Sequence, residues 1–514
     1  MTGAMRVVLV GNGPVGARFV EELLPSVRSG SIELTVVGAE PVDAYNRVLL
    51  ADYAAGRITQ EALSITDTVV AVAAGVRFQV GTRVTGIDRQ AHTVALSTGA
   101  YLHYDRLVIA TGARANLPTL DGIMRASPAD RAATDTPLPP GIVALRDLAD
   151  ADRIRAAVTA GERIVVLGAG VLGLELALAA AGQGADVVIV HHGSHPMPRN
   201  LDRAGGTVLA RNLRDAGIRI VAHSRAEGID VRTNDQGLAC FDALLCADGK
   251  RVPGDLLVLS CGVSARVELA ERAQLPTAAG VLVDRRLRSW GDADVCAIGD
   301  CAHVSADPNA THGIPLGLIG PGWRQAQWLA AQLSAEAAGA ADPEPLPDER
   351  PSVVMLKADD IDVVSAGTVD IDVWEPPENV AVAQWADAEH GRYVKLVTRA
   401  GVLEGVVCVG MPRTGAELTL LFERGSELPA DRSVLLRYDG PDDAPTPAAD
   451  GFDADATVCW CNGVSAGRIR DSALAGCCTV ADVGADTRAG TGCGGCTGRI
   501  TELLARFASA PVGG

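Results

Sequence analysis

The sequence predicts an α/β protein: two Rossmann-like units, then a small mostly-β (α+β) module, then a small helical C-terminal domain. Three observations carry that reading. A strand, a glycine turn, a helix and a second strand occur in succession near the N-terminus and again in mid-chain. Apolar and polar residues alternate between 353 and 436. Half of the 12 cysteines fall between Cys459 and Cys496. At 514 residues the chain is too long for one core, so two to four domains are expected.

The first unit opens on a β-branched strand at 6–10 that runs into Gly11-Asn12-Gly13-Pro14-Val15-Gly16. Apolar residues at helical spacing follow as far as Leu24, and a second strand occupies 33–37. That succession is a βαβ unit. Further strands are expected at 93–97 and 107–110, the latter leading into Thr111-Gly112. The second unit repeats the pattern with a strand at 163–167, the turn Gly168-Ala169-Gly170-Val171-Leu172-Gly173, a helix at 174–181 and strands at 186–190 and 255–260. A strand at 294–298 ending in Gly299-Asp300 and a closing helix at 322–336 complete this part. A repeat of this kind is foreign to a dehydrogenase that binds a single dinucleotide.

Residues 338–351 are rich in Pro, Ala and acid and read as a linker. Alternation at 393–397 and 405–409 marks the β module, residues 438–457 read as a second, flexible linker, and a helix is expected at 499–507. The expected domains are 1–125 together with 285–336, then 140–284, 352–437 and 458–510, with 438–457 as the linker.

Bulk properties narrow the function. A net charge of −18 argues against a nucleic-acid partner, which needs a basic face. No run approaches the roughly 18 apolar residues of a membrane span. The N-terminus goes straight into a strand and a glycine turn, with no secretory pattern, so a cytoplasmic location is expected. In that compartment clustered cysteines point to metal ligation rather than disulfides.

Each glycine turn has the complete G-x-G-x-x-G spacing. Gly11 allows the tight turn, Gly13 the approach of a pyrophosphate and Gly16 the packing of helix on strand, with Pro14 opening the helix. Glu40 follows the second strand, where an acid accepts ribose hydroxyls. In the second unit Gly168, Gly170 and Gly173 repeat the spacing, but His191 and His192 stand at the acid position. Histidine commits to neither NAD nor NADP; a ribose contact and a solvated strand end both stay open. Cys459 and Cys461, with Cys493 and Cys496, form two close pairs in a glycine-dense setting that suits a [2Fe–2S] cluster. A four-cysteine zinc site is the rival. Cys477 and Cys478, being adjacent, are expected to be packing residues.

These motifs resemble the two-dinucleotide pyridine nucleotide–disulfide oxidoreductase superfamily, and within it the electron-input half of assimilatory NAD(P)H-nitrite reductase. The residues that carry the likeness are Tyr45-Asn46-Arg47-Val48-Leu49-Leu50, Ala110-Thr111-Gly112, Ala297-Ile298-Gly299-Asp300 and Gly320-Pro321-Gly322-Trp323. The last domain is similar to bacterioferritin-associated-ferredoxin-type [2Fe–2S] modules. The resemblance implies FAD on 1–125 and 285–336, NADH or NADPH on 140–284, and electron delivery to a catalytic nitrate or nitrite reductase subunit. It also implies flavin contacts from Asn46, Arg47, Thr111, Gly112 and Asp300, with Glu175 near the reacting rings. No cysteine precedes Cys240, so the flavin–dithiol chemistry of many superfamily members is not expected.

On that basis the cofactors carry the chemistry and the protein aligns them. Cys261-Gly262-Val263 would close the nicotinamide pocket, Arg47 would lie over the ring system, and the closing helix would aim its positive end at the flavin. The linker at 438–457 suggests a cluster domain that swings between flavin and acceptor. An alternative reading is the flavin subunit of an amino-acid- or opine-oxidising complex with a [2Fe–2S] relay, in which NAD(P)H is not the donor.

Overall fold

The computed structural model describes residues 3–123, 138–233, 237–311, 317–347, 352–358, 361–425, 427–429, 431–436, 454–459, 461–492 and 494–508. Its first unit is built on an eight-stranded sheet. Met5–Val10 pairs in parallel with Ile32–Val37 on one side and Arg106–Ile109 on the other. These strands are apolar along nearly their whole length because they are buried, in a core shared with the helices Pro14–Arg28 and Ile319–Ala337 and with the separate antiparallel strands at 84–103. Pro14–Arg28 packs on the sheet with Pro14 in its first turn, where the missing N–H costs nothing. Val281–Val283 and Asp292–Ala297 belong to this sheet too. The expected 284/285 boundary therefore cuts into it; Leu269, Ala270, Ala273 and Leu275 already pack in the first unit's core, so the second unit ends before them.

The chain crosses between units through a two-stranded antiparallel link, Ala113–Ala115 outbound and Val263–Ala265 returning. The second unit has a five-stranded sheet in the order 219–221, 187–190, 164–167, 256–259, 142–144, parallel throughout. The closing helix runs over Ile319–Ala337, starting three residues before the expected Gly322. The expected linker at 338–351 is partly packed: Leu346 is buried and exchanges hydrogen bonds with Arg285, and Glu344 accepts from the Trp328 indole at 2.8 Å.

The third module is a five-stranded antiparallel sheet with Pro412–Arg424 packed on it. Alternation predicts one wet face, yet Arg392–Arg399 is buried over most of its length, including Lys395. The second unit supplies the reason by covering the other face. Asp202, which caps the helix Arg203–Asp215, meets Lys395 Nζ at 3.0 Å and the Tyr393 hydroxyl at 2.7 Å. A buried charge tolerated in this way needs its partner in place, so the pair fixes how the module seats on the unit.

The terminal domain is a hairpin, Thr457–Cys459 with Val464–Ser465, followed by helices Ala466–Leu474, Val480–Thr487 and Thr497–Ala508. Ser465 caps the first helix, and a reciprocal Thr479–Asp482 capping box starts the second. Cys477 packs against this domain's core as expected, whereas Cys478 is exposed at the turn before Val480. Most of the second linker, and Cys493, lie outside the described residues.

Candidate functional site

The first glycine turn closes under the sheet. Gly11 has φ +122°, its N–H donates to the Val37 carbonyl at 2.8 Å, and the space a Cβ would need is filled by the Ala110 carbonyl. Gly16 lies equally close to the Gly11 carbonyl, which brings helix against strand. Gly13 faces open space, with Arg47 Nε 4.0 Å from where a Cβ would stand. The turn therefore leaves a bare backbone cradle at a helix N-terminus, which is what a pyrophosphate requires.

A cavity of about 3440 Å³ extends from this cradle. Of the expected site residues, Gly11, Gly13, Pro14, Glu40, Arg47, Thr111, Gly112, Val171, Leu172, Glu175 and Asp300 border it. Asp300 is held by Arg146 at 3.2 Å, and the neighbouring Gly299 N–H donates to Gln325 Oε1 at 2.7 Å. Gly299 and Gly322 both close on Val15, so the Gly-Asp turn, the closing helix and the first helix meet at one point. The closing helix presents Ile319, Gly320 and Pro321 to the cavity, with no side chain capping its N-terminus.

Arg47, expected over the flavin ring system, borders the cavity with its guanidinium already engaged. Its guanidinium pairs with Glu40, lies 4.8 Å over the Tyr45 ring and donates to the Arg146 carbonyl at 3.0 Å. Tyr45 also donates to Glu40 at 2.7 Å. Burial would raise the Glu40 carboxyl, but the Arg47 charge and these hydrogen bonds outweigh it and hold the group below its usual range. Asn46 does not border the cavity. Its Nδ2 donates to the Gly492 carbonyl of the terminal domain at 2.6 Å, and its Oδ1 accepts from the Val48 N–H.

Arg266, like Arg146, is a site residue that sequence reasoning missed. It borders the cavity, and among the described residues its guanidinium has no hydrogen-bond or ion-pair partner. Burial pulls its pKa down, as do the charges of Arg146, Arg47, Arg114 and Arg83. Glu40, Asp300 and Glu268 pair Arg47, Arg146 and Arg114, which leaves the Arg266 guanidinium as a cation that fits the diphosphate of a dinucleotide. No local motif marks Arg266; it arrives through the returning strand Val263–Ala265, and the Thr111 hydroxyl donates to its carbonyl at 3.0 Å.

The second turn repeats the first: Gly168 has φ +119°, Ser260 O fills its Cβ space, and a side chain at Gly170 would meet nothing within 4 Å. Gly173 packs against Gly168 and Ser260. Gly168, Gly170, Gly173, His191 and Gly262 do not border the large cavity; the helix behind the turn reaches it through Val171, Leu172 and Glu175. His191 is 5% exposed, its Nε2 has no partner among the described residues, and His192 is exposed. Burial, with repulsion from His192, His223 and His195, lowers His191 to about 4, so it is neutral at pH 7. Cys261 is pushed up to about 11 by burial and is a neutral thiol, with Asn116 bracing the loop at Gly262.

In the terminal domain the Cys459 thiol is lowered by hydrogen bonding to Cys496 and by amide donors from Gly490 and Asn462, against the effect of burial. Thiolates supported by N–H donors suit a [2Fe–2S] centre. Cys461 and Cys496 border the large cavity, with Gly494 and Gly495. Among the described residues no three metal-binding side chains converge, and Cys493 lies outside them.

Fold and site together define a two-dinucleotide oxidoreductase scaffold with a cysteine-bearing electron-carrier domain attached. Residues 5–327 match the pyridine nucleotide-disulphide oxidoreductase family, and the chain belongs to it; residues 457–506 match the BFD-like [2Fe-2S] binding domain. FAD, NAD(P)H and a [2Fe–2S] cluster are the cofactors that this pair implies. The chain is 28% identical over 504 residues to the nitrite reductase [NAD(P)H] of Bacillus subtilis, covering 98% of this chain and 58% of that protein. It is 27% identical to the assimilatory nitrate reductase electron transfer subunit of the same organism, covering 97% of this chain and 59% of that one. It thus spans little more than half the length of these relatives. The covalent putidaredoxin reductase–putidaredoxin complex shares the fold, at TM-score 0.68 and 24% identity over 86% of this chain and 97% of that one. No described helix is long and apolar enough to cross a membrane.

Proposed function

We propose that the chain takes reducing equivalents from NAD(P)H onto FAD and passes them through a [2Fe–2S] centre to the catalytic subunit of a nitrate or nitrite reductase. One observation carries this reading: Gly11, Gly13 and Asp300 border the same cavity as Cys461 and Cys496. The nicotinamide supplies a hydride, the flavin exchanges two electrons for single ones, and the cluster takes one at a time. The chain's own residues bind and align. The Gly11–Gly16 turn, Thr111, Gly112, Arg146, Arg266 and Asp300 hold the FAD diphosphate and its neighbourhood, and Glu40 takes the ribose. Gly168, Gly170 and Gly173 hold the second dinucleotide, with His191 at its ribose and Gly262 and Glu175 toward the rings. Cys459, Cys461, Cys493 and Cys496 ligate the cluster. The nitrogen-assimilating acceptor is supported by relatives that align along nearly the whole of this chain. A cytoplasmic setting, which keeps thiols reduced, goes with this reading.

Anaerobic titration with NADH and, separately, NADPH tests this, with visible and EPR spectra followed together. The expected result is flavin bleaching followed by a reduced-cluster signal, and Cys496→Ser should remove that signal along with the bound iron. Bleaching without any cluster signal, in a zinc-loaded domain, would leave a plain flavin diaphorase. No bleaching with either nucleotide would transfer the case to the amine-oxidising reading.

A further inference from the structure

We propose that the face of the first unit formed by Glu21, Glu22, Asn46 and Trp323 is the dock at which the chain's own cysteine domain receives electrons. Asn46 and Trp323 set the register of the Gly492 loop. This rests on the electron-transfer reading above and adds the contacts that set its geometry.

Asn46 is 2% exposed and rigidly aimed: its N–H donates to Leu63 O at 2.7 Å and its Oδ1 accepts from Val48, which leaves Nδ2 for Gly492 O at 2.6 Å. Gly492 tolerates no side chain, because a Cβ there would stand 2.8 Å from Cys461 Cβ and 3.0 Å from the Trp323 ring. The indole N–H of Trp323 in turn donates to Pro14 O in the first glycine turn at 3.1 Å. A single indole therefore spans from the dinucleotide cradle to the cysteine loop. Arg18 stacks 5.7 Å from the same ring.

The rim is charged. Arg488, in the left-handed C-cap of Val480–Thr487, meets Glu22 at 3.0 Å and Glu21 at 3.6 Å. These side chains are 38% and 30% exposed, so the pairs orient the domain more than they weld it, and salt weakens them. Arg18 also pairs with Glu22, at 3.0 Å. A buried amide contact and an aromatic ring inside a polar rim are the anatomy of an interface. Asn46 therefore acts as a positioning residue, through Gly492.

The test is hydrogen exchange on the full chain, read at the amides of 45–49 and 490–492. Arg488→Glu, which sets a third acid against Glu21 and Glu22 and leaves the Arg18–Glu22 pair in place, should lose protection roughly tenfold, and Arg488→Lys should keep it. Unchanged exchange in Arg488→Glu, or an equal loss in Arg488→Lys, would overturn the dock. In stopped flow, Asn46→Ala should slow the appearance of the cluster signal roughly tenfold relative to flavin bleaching; equal slowing of both would overturn its positioning role. If NAD(P)H does not bleach the wild-type flavin, the electron-transfer reading falls while the exchange result still decides the dock.

Discussion

Gly11 and Gly168 share one backbone device, with φ near +120° and a neighbouring strand's carbonyl where a Cβ would be. What stands around the two turns differs. At the first, Glu40, Arg47, Arg146 and Arg266 gather around a wide cavity and a second domain closes over the edge. At the second, the strand end carries His191, buried and neutral, with its Nε2 unpaired among the described residues. The comparison teaches that the glycine turn makes a generic cradle, and that what distinguishes the two is the residues brought in from elsewhere.

The largest effects come from breaking the shared device. Gly11→Ala and Gly168→Ala should each cost about 2–4 kcal/mol in urea unfolding, from left-handed strain and the carbonyl clash. The ligand losses should separate: Gly11→Ala should lose FAD on gel filtration, and Gly168→Ala should keep FAD but raise KM for NAD(P)H. Loss of FAD from both variants alike would break the assignment of the two turns.

The next test concerns His191. Its folded pKa of about 4 lies below the ordinary 6.5, so its contribution is intact above pH 6.5 and is lost as pH falls through about 4. The unfolded chain binds the extra proton in that window, for up to about 3 kcal/mol. His191→Gln should flatten this part of the stability–pH curve; a curve unchanged by the substitution would mean that the ring is not held neutral.

The smallest effect should be at Arg266. Arg266→Ala should weaken FAD binding by about 1.5–3 kcal/mol, the range for a charge-assisted hydrogen bond. The same change should raise the melting temperature of the FAD-free protein, because it removes a cation that burial and four arginines already disfavour. A fall in that melting temperature would show that Arg266 acts in packing instead.

Sequence alone determined whatever is written within a short stretch of chain. The two glycine fingerprints occupy six consecutive residues each, the buried strands show as unbroken apolar runs, and the cysteine pairs stand one or two residues apart. Those features set backbone conformation and ligand type locally, so the fold class, the dinucleotide units and the cluster domain were legible. Tertiary structure alone decided that Arg266 enters the first cavity, that Lys395 is buried on Asp202, and that Asn46 holds Gly492. The physical reason is that burial and partner choice depend on which surfaces pack. Chain segments hundreds of residues apart meet only when the folded domains dock, and no local pattern of residues encodes that meeting.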